Sequence, residues 1–125
     1  MYPILENYQT VQKADVKTWY KVGHVSDFPV NAGVCVKIQN QQIAVFYFAR
    51  RDKWYATQNV CPHKFEMVLS RGLIGDLNGI AKVACPLHKK TFSLENGENL
   101  NGDLPAIATF PVKVSGEFVY VGMAH

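Results

Sequence analysis

The sequence Cys61-Pro62-His63, followed after residues 64–84 by Cys85-Pro86-Leu87-His88, contains two cysteines and two histidines, residue types that commonly bind metals. Each of these two segments, which we call ligand clips, offers one thiol and one imidazole, and each has proline directly after its cysteine. Two clips that share this composition are hard to obtain by chance. The sequence therefore predicts one metal site, with Cys61, His63, Cys85 and His88 as its ligands.

Three interpretations of the clips are open at this point. In a Rieske centre, two histidines replace two cysteines on one iron of a [2Fe–2S] cluster, so each clip would send its cysteine to one iron and its histidine to the other. The same four side chains could instead hold a structural zinc ion, although zinc sites usually pair like ligands within one clip. The third interpretation is a buried free cysteine beside a surface histidine, without a metal. The mixed composition of both clips favours the iron–sulfur cluster.

Composition limits the classes of protein that the chain can represent. Apolar residues make up 48% of its 125 residues and aromatic residues 12%, which predicts one folded domain over residues 1–125 rather than a disordered chain. The net charge of +3, without a long run of lysine or arginine, argues against a nucleic-acid partner. The longest strongly apolar segment, residues 43–49, is too short to cross a bilayer, so we expect no membrane association.

The cysteine content indicates a reducing compartment. The chain has three cysteines, and two of them belong to the clips, so a disulfide framework is not expected. The third, Cys35, lies in the alternating segment Val34–Ile38 and is predicted to be a small packed residue. Residues 1–16 lack the basic start and apolar run of a signal peptide. We therefore expect a cytoplasmic protein.

Short apolar segments separated by polar turns predict an antiparallel, all-β body. The predicted strands cover residues 19–22, 33–38, 43–48, 54–57, 80–84, 91–94, 109–114 and 118–121. The turns include Asn40-Gln41 and Asn96-Gly97, and the glycines at positions 72, 75 and 79 indicate tight loops between the clips. The clips thus lie in an insertion over roughly residues 58–100. Residues 1–16 form either a loose arm, the default for a polar terminus, or a strap packed on the body or on a partner.

The motifs around the clips resemble those of the Rieske [2Fe–2S] ferredoxin family, and the resemblance extends over roughly residues 17–122. Besides the clips it rests on Leu69-Ser70-x-Gly72, on Phe92-x-Leu94 followed by Asn96-Gly97, and on Leu104-Pro105, which resembles the proline loop that covers the cluster. The resemblance implies an antiparallel β sandwich or barrel with an inserted cluster-binding subdomain. It also implies that Cys61 and Cys85 bind the buried iron, whereas His63 and His88 bind the outer iron at the tip of the molecule.

Within this family, two segments are similar to the small subunits of assimilatory NAD(P)H nitrite reductases. These are Val68-Leu69-Ser70-Arg71-Gly72-Leu73-Ile74-Gly75 and Pro86-Leu87-x-Lys89-Lys90-x-Phe92-x-Leu94. The similarity implies electron transfer beside a large subunit that carries FAD, sirohaem and a further iron–sulfur cluster and reduces nitrite to ammonium. No catalytic residues are expected in this chain. The alternatives are a free Rieske ferredoxin that supplies an oxygenase, and a non-redox assembly module.

The resemblance also predicts a low reduction potential. High-potential members carry an extra, disulfide-bonded cysteine in each cluster loop, and the matching positions here are Glu66 and Leu87. They also place serine and tyrosine hydroxyls near the cluster, where this chain has Lys90 and Phe92. Because hydrogen-bond donors near the sulfurs favour the reduced cluster, their absence lowers the potential.

Basic residues accompany both clips. They are Lys64, Arg71, Lys89 and Lys90. We expect either an ordinary solvated face or a rim that steers the site towards an acidic partner.

Overall fold

The structure is a computed structural model that describes residues 8–87 and 89–125. These residues form twelve β-strands and four short 3₁₀ turns, and they contain no α-helix. The strands are β1 Thr18–His24, β2 Ala32–Ile38, β3 Gln41–Phe48, β4 Lys53–Gln58, β5 Val60–Cys61, β6 Glu66–Met67, β7 Leu73–Leu77, β8 Ile80–Ala84, β9 Thr91–Ser93, β10 Thr109–Phe110, β11 Val112–Ser115 and β12 Phe118–Met123. The 3₁₀ turns are Lys13–Asp15, Val25–Asp27, Ala49–Arg51 and Leu69–Arg71.

Two antiparallel sheets form what we call the body. One has the strand order β1-β12-β11 and the other β10-β4-β3-β2. The chain changes sheets at Pro111, because β10 pairs with β4 whereas β11 pairs with β12. Proline lacks the amide proton that a continuous ladder needs, so the strand predicted over residues 109–114 is divided in two. The all-β prediction is confirmed.

The hairpin between β2 and β3 turns at Gln39 and Asn40, whose φ angles are +48° and +71°. Positive φ at both central residues gives the two-residue turn whose twist matches the flanking strands. The turn predicted at Asn40-Gln41 therefore lies one residue too far along the chain, since Gln41 is already the first residue of β3.

Strands β5 to β9 form a second unit, the clip unit, which follows β4 and precedes β10 in the chain. It contains the two-stranded ribbon β5-β6 and the three-stranded sheet β7-β8-β9. The loop prediction between the clips is wrong at Leu73–Leu77, which is strand β7. Asn78 and Gly79, with φ of +52° and +88°, join β7 to β8 in a tight turn. That dipeptide between two apolar segments was a hairpin signal in the sequence.

Strand β3 separates two hydrophobic cores. Ile43 and Val45 lie in the core of the body, whereas Ala44, Phe46 and Phe48 lie in the core of the clip unit. Alternate side chains point to opposite faces of a strand, so the uninterrupted apolar run of β3 is explained by burial on both faces. The clip unit is thereby packed against the centre of the body through shared side chains.

The described part of the N-terminal segment packs on the body as a strap. Tyr8 and Val11 are buried in the body core. The Tyr8 hydroxyl accepts the backbone N–H of Gln42 at 3.0 Å, and the N–H of Val11 donates to the carbonyl of Thr109 at 3.0 Å. The loose-arm interpretation is therefore wrong for residues 8–16, and residues 1–7 lie outside the described part.

Cys35 is exposed, contrary to the packed position expected for it. Its neighbours Val34 and Val36 lie on the opposite face of β2 and pack against the body core. The face of β2 that carries Cys35 meets the 3₁₀ turn Leu69–Arg71 at Gly33, but Cys35 itself stays exposed. Among the described residues, no helix is long and apolar enough to cross a membrane.

Candidate metal centre

The two clip cysteines lie side by side in the core of the clip unit. Strand β5 ends in Cys61, and β8 leads directly into Cys85. Both thiols are free, both residues are 2% exposed, and the two side chains are within hydrogen-bonding reach of each other. Residues 24 positions apart in the chain are thus brought together without a disulfide.

Both clips fold into turns of the same form. The N–H of Phe65 donates to the carbonyl of Cys61 at 2.7 Å, and the N–H of Lys89 donates to the carbonyl of Cys85 at 2.9 Å. In each turn the residue four positions after the cysteine has a φ of +59°. This left-handed conformation is unusual for residues with a side chain, and it recurs at the same place in both clips.

Of the two clip histidines, His63 lies within the described residues. His63 lies within the first turn, where its Nδ1 atom is buried although the residue as a whole is half-buried. His88 lies outside the described residues. The described residues therefore bring together Cys61 and Cys85 of the predicted set. Among residues 8–87 and 89–125, no three cysteine, histidine or acidic side chains are grouped so that they could hold a metal ion.

The electrostatics of the Cys61 and Cys85 thiols suit a metal that binds thiolates. Burial raises the pKa of Cys61 to about 11; a hydrogen bond from the backbone N–H of His63 opposes this rise, and the neighbouring Cys85 adds to it. Such a thiol keeps its proton at neutral pH unless a cation compensates the thiolate charge, and binding a metal then releases that proton. Two adjacent buried thiols fit either an iron–sulfur cluster or zinc.

Two buried amides that the sequence analysis did not identify hold the first clip on the body. Asn59, 2% exposed, accepts the N–H of Ser70 at 2.7 Å and donates to the Oε1 atom of Gln42 at 3.1 Å. Gln58, 3% exposed, accepts the N–H of Ala108 at 2.8 Å and donates to the carbonyl of Val60 at 2.8 Å. Two consecutive amides directly before an apolar clip were the available signal.

A second set of contacts positions the loop predicted to cover the site. Asn99 accepts the N–H groups of Asp103 and Leu104 at 2.9 and 3.1 Å, and Leu104 packs on the core that contains the cysteines. Lys90 forms an ion pair with Asp103, and this hydrogen bond is the main reason that the pKa of Asp103 is lowered. Pro105 lines a cavity of about 290 Å³ together with Pro62 of the first clip.

The ion pair between Lys90 and Asp103 reduces the number of basic side chains near the clips that are available to a partner. Lys90 is held by Asp103, whereas Lys64, Arg71 and Lys89 are exposed.

Comparisons with known proteins agree with this geometry. Residues 18–122 match the family described as Rieske-like [2Fe-2S] domain. A nitrite reductase [NAD(P)H] large subunit of Klebsiella oxytoca is 36% identical over 106 residues, which cover 85% of this chain but 11% of that protein. The nitrite reductase (NADH) small subunit of Escherichia coli K12 is 35% identical over 79 residues, 63% of this chain and 73% of that protein.

Among solved structures, a putative nitrite reductase NADPH small subunit superimposes with a TM-score of 0.77 and 34% identity, covering 83% of this chain and 97% of that one. This chain spans about a tenth of the length of the Klebsiella relative. The matched region includes both clips and all twelve strands except the last residue of β12. The chain belongs to the family of Rieske-like [2Fe–2S] domains.

Proposed function

We propose that this chain is the small subunit of an NAD(P)H-dependent nitrite reductase and that it transfers electrons through a Rieske [2Fe–2S] cluster. The observation that carries the proposal is the pair of free, adjacent and buried thiols of Cys61 and Cys85 in a chain of this family. The similarity to nitrite reductase subunits of Klebsiella oxytoca and Escherichia coli supports the choice of enzyme.

In this proposal Cys61, His63, Cys85 and His88 hold the cluster, which when bound takes up and releases one electron. The chain's own residues provide a site from which water is largely excluded, because both cysteines lie in a closed apolar core. Asn99 and the ion pair of Lys90 with Asp103 keep the covering loop in place. The potential then depends on burial and on hydrogen bonding around the ligands.

The reduction of nitrite belongs to a partner in this proposal. The partner is a large subunit that carries FAD, sirohaem and a further iron–sulfur cluster, and the pair acts in the cytoplasm. The small subunit is one domain over residues 1–125, with the clips in an insertion over roughly residues 58–100.

Ligand variants test the cluster. Cys61→Ser, Cys85→Ser, His63→Ala and His88→Ala should each lose the visible absorption and the EPR signal of the dithionite-reduced protein, because each removes a bond to iron. Cys35→Ser is the matched control, since this exposed thiol lies outside the clips and its loss should leave both signals intact. Stoichiometric zinc without iron in the purified protein would contradict the cluster.

Reconstitution tests the enzyme. The wild-type chain, mixed with the large subunit, should support nitrite-dependent oxidation of NAD(P)H, and folded variants without a cluster should not. Full activity with such variants would show a non-redox assembly module instead. Electron delivery to a terminal oxygenase, without any effect on the nitrite reductase, would show a free ferredoxin.

A further inference from the structure

The clip unit exposes an unusual amount of apolar side chain. Seven large apolar residues of the described part are exposed, and four of them lie in this unit. They are Leu73, Leu77, Ile80 and Leu87, with exposures of 78%, 42%, 38% and 51%. Single exposed apolar residues are ordinary, but a group of them beside a functional site indicates a binding surface.

Three of these four residues share one face of the β7–β8 hairpin. Leu77 is paired directly with Ile80, and Leu73 with Ala84, so these side chains point to the same side of the sheet. The opposite face carries Ala81 and Val83, which are fully buried in the core of the clip unit. We call the side that bears Leu73, Leu77 and Ile80 the outer face.

The centre of the outer face is open. Gly75 lies between Leu73 and Leu77 and is paired with Lys82. A Cβ atom added at Gly75 would meet only the end of the Lys82 side chain, at 3.8 Å or more. In addition, β7 is the edge strand of its sheet, and an apolar edge that stays uncovered promotes aggregation.

The outer face leads to the proposed cluster and has a basic border. Ala84, the partner of Leu73, is followed by Cys85 and then by the exposed Leu87 of the second clip. Lys82 lies on the outer face itself, opposite Gly75, and the border consists of the exposed Lys64, Arg71 and Lys89. None of these four residues takes part in an ion pair within residues 8–87 and 89–125. A partner with an apolar centre and an acidic rim would complement both features.

We propose that the outer face of β7–β8, together with Leu87, is the surface on which this chain docks to the large nitrite reductase subunit. The inference rests on the proposed function. In the Klebsiella relative the matching segment is 11% of a much longer chain, so the corresponding domain is part of the same polypeptide as the rest of that enzyme. A large nitrite reductase chain is therefore the occupant that the comparisons favour for the exposed surface.

Charge substitution on the outer face tests the proposal. The double variant Leu73→Asp/Leu77→Asp should raise the Kd for the purified large subunit on the order of tenfold or more, because it places two carboxylates in the apolar centre of the interface. Val30→Asp/Val114→Asp is the matched control, since these residues are 62% and 41% exposed and line a groove of the body. The control should change the Kd less than about twofold, because surface substitutions away from an interface have small effects.

A second substitution acts by size. Gly75→Arg adds a long side chain where the structure has room for it and should weaken binding, whereas Val114→Arg should not. The EPR signal of each variant reports whether the cluster and the fold around it are retained. Increasing ionic strength should slow association with the wild-type chain if the partner's rim is acidic.

The outcomes separate this inference from the proposed function. If the wild-type chain binds the large subunit and the outer-face variants bind equally well, the docking surface is wrong and the function stands. If the wild-type chain does not bind the large subunit, both are wrong. If the wild-type chain self-associates in sedimentation experiments and Leu73→Asp/Leu77→Asp makes it monomeric without affecting the large subunit, the occupant is a second copy, and the proposal is overturned.

Discussion

The Asn59 side chain connects the first clip to two segments that are distant in sequence. Its side chain contacts Gln42 on β3 and the backbone of Ser70 in the 3₁₀ turn Leu69–Arg71, while its carbonyl accepts the N–H of Leu69 at 3.0 Å. A buried polar group is costly unless its hydrogen bonds are satisfied, and here both partners lie in segments distant in sequence. The residue directly before β5 thus fixes where Cys61 lies.

Asn59→Ala should lower the free energy of unfolding by about 1–3 kcal/mol, because it leaves the buried N–H of Ser70 without its acceptor. Urea denaturation measures the change. Asn96→Ala is the control, since exposed Asn96 makes one side-chain hydrogen bond, to the N–H of Glu98 at 2.9 Å. Equal losses for the two variants would show that the Asn59 network contributes no more than a surface turn.

Residue types and spacing were enough to predict the clip ligands, because Cys-Pro-His and Cys-Pro-Leu-His are local patterns. The roles of Gln58 and Asn59 could not be predicted in the same way. Their partners are Ala108 and Ser70, and such contacts exist only once the chain has folded. The exposure of Cys35 was missed because alternation indicates which residues share a face, not whether a second layer covers it.

At the scale of elements, β3 was predictable because its apolar run is long and rich in β-branched and aromatic residues. Strand β7 could not be predicted from the sequence, since Gly75 and Asp76 are poor strand formers. Contacts across the structure compensate for this composition. Arg51, in the 3₁₀ turn after β3, forms an ion pair with Asp76 and donates to the carbonyl of Gly79 at 2.6 Å. The hairpin is thereby attached to the body.

Asp76→Asn should therefore destabilise the protein at neutral pH, and the effect should depend on pH. The pKa of Asp76 is lowered from 3.8, first by the hydrogen bond from the N–H of Gly79 and then by the charge of Arg51. A carboxyl group whose folded pKa is depressed adds stability above its unfolded pKa and loses it as the pH falls through the folded value.

The difference in unfolding free energy between the wild-type protein and Asp76→Asn should thus be constant above the unfolded pKa of 3.8 and shrink below it. Urea denaturation across acidic pH measures it. A difference that stays the same throughout that range would mean that the charge of Asp76 does not support the hairpin.

At the scale of the whole molecule, the two-core arrangement explains how one small chain combines a closed site with a surface for a partner. The buried side of the clip unit packs on β3 through Phe46 and Phe48, while its outer face is left exposed. The family resemblance predicted the body and the insertion. It could not predict which exposed apolar residues cluster, because that depends on how β8 pairs with β7, a strand that was not predicted.

The reduction potential of the loaded protein follows from what surrounds the clips. Phe92 is fully buried in the same core as Cys61 and Cys85, and its side chain has no hydroxyl to donate. Lys90 occupies the other position at which the resemblance places a hydroxyl in high-potential members. Its ammonium group forms an ion pair with Asp103. Both findings remove donors that would stabilise the added negative charge of a reduced cluster.

We therefore expect a midpoint near the low end of the Rieske range, about −150 mV rather than about +300 mV. Phe92→Tyr should raise it, because the new hydroxyl can donate a hydrogen bond within the core that contains the cysteines. Phe110→Tyr is the control, since Phe110 is buried in the body core and its substitution should leave the midpoint unchanged. Protein-film voltammetry at neutral pH measures all three proteins. A wild-type midpoint well above zero, or an equal shift in both variants, would show that the environment of Phe92 does not set the potential.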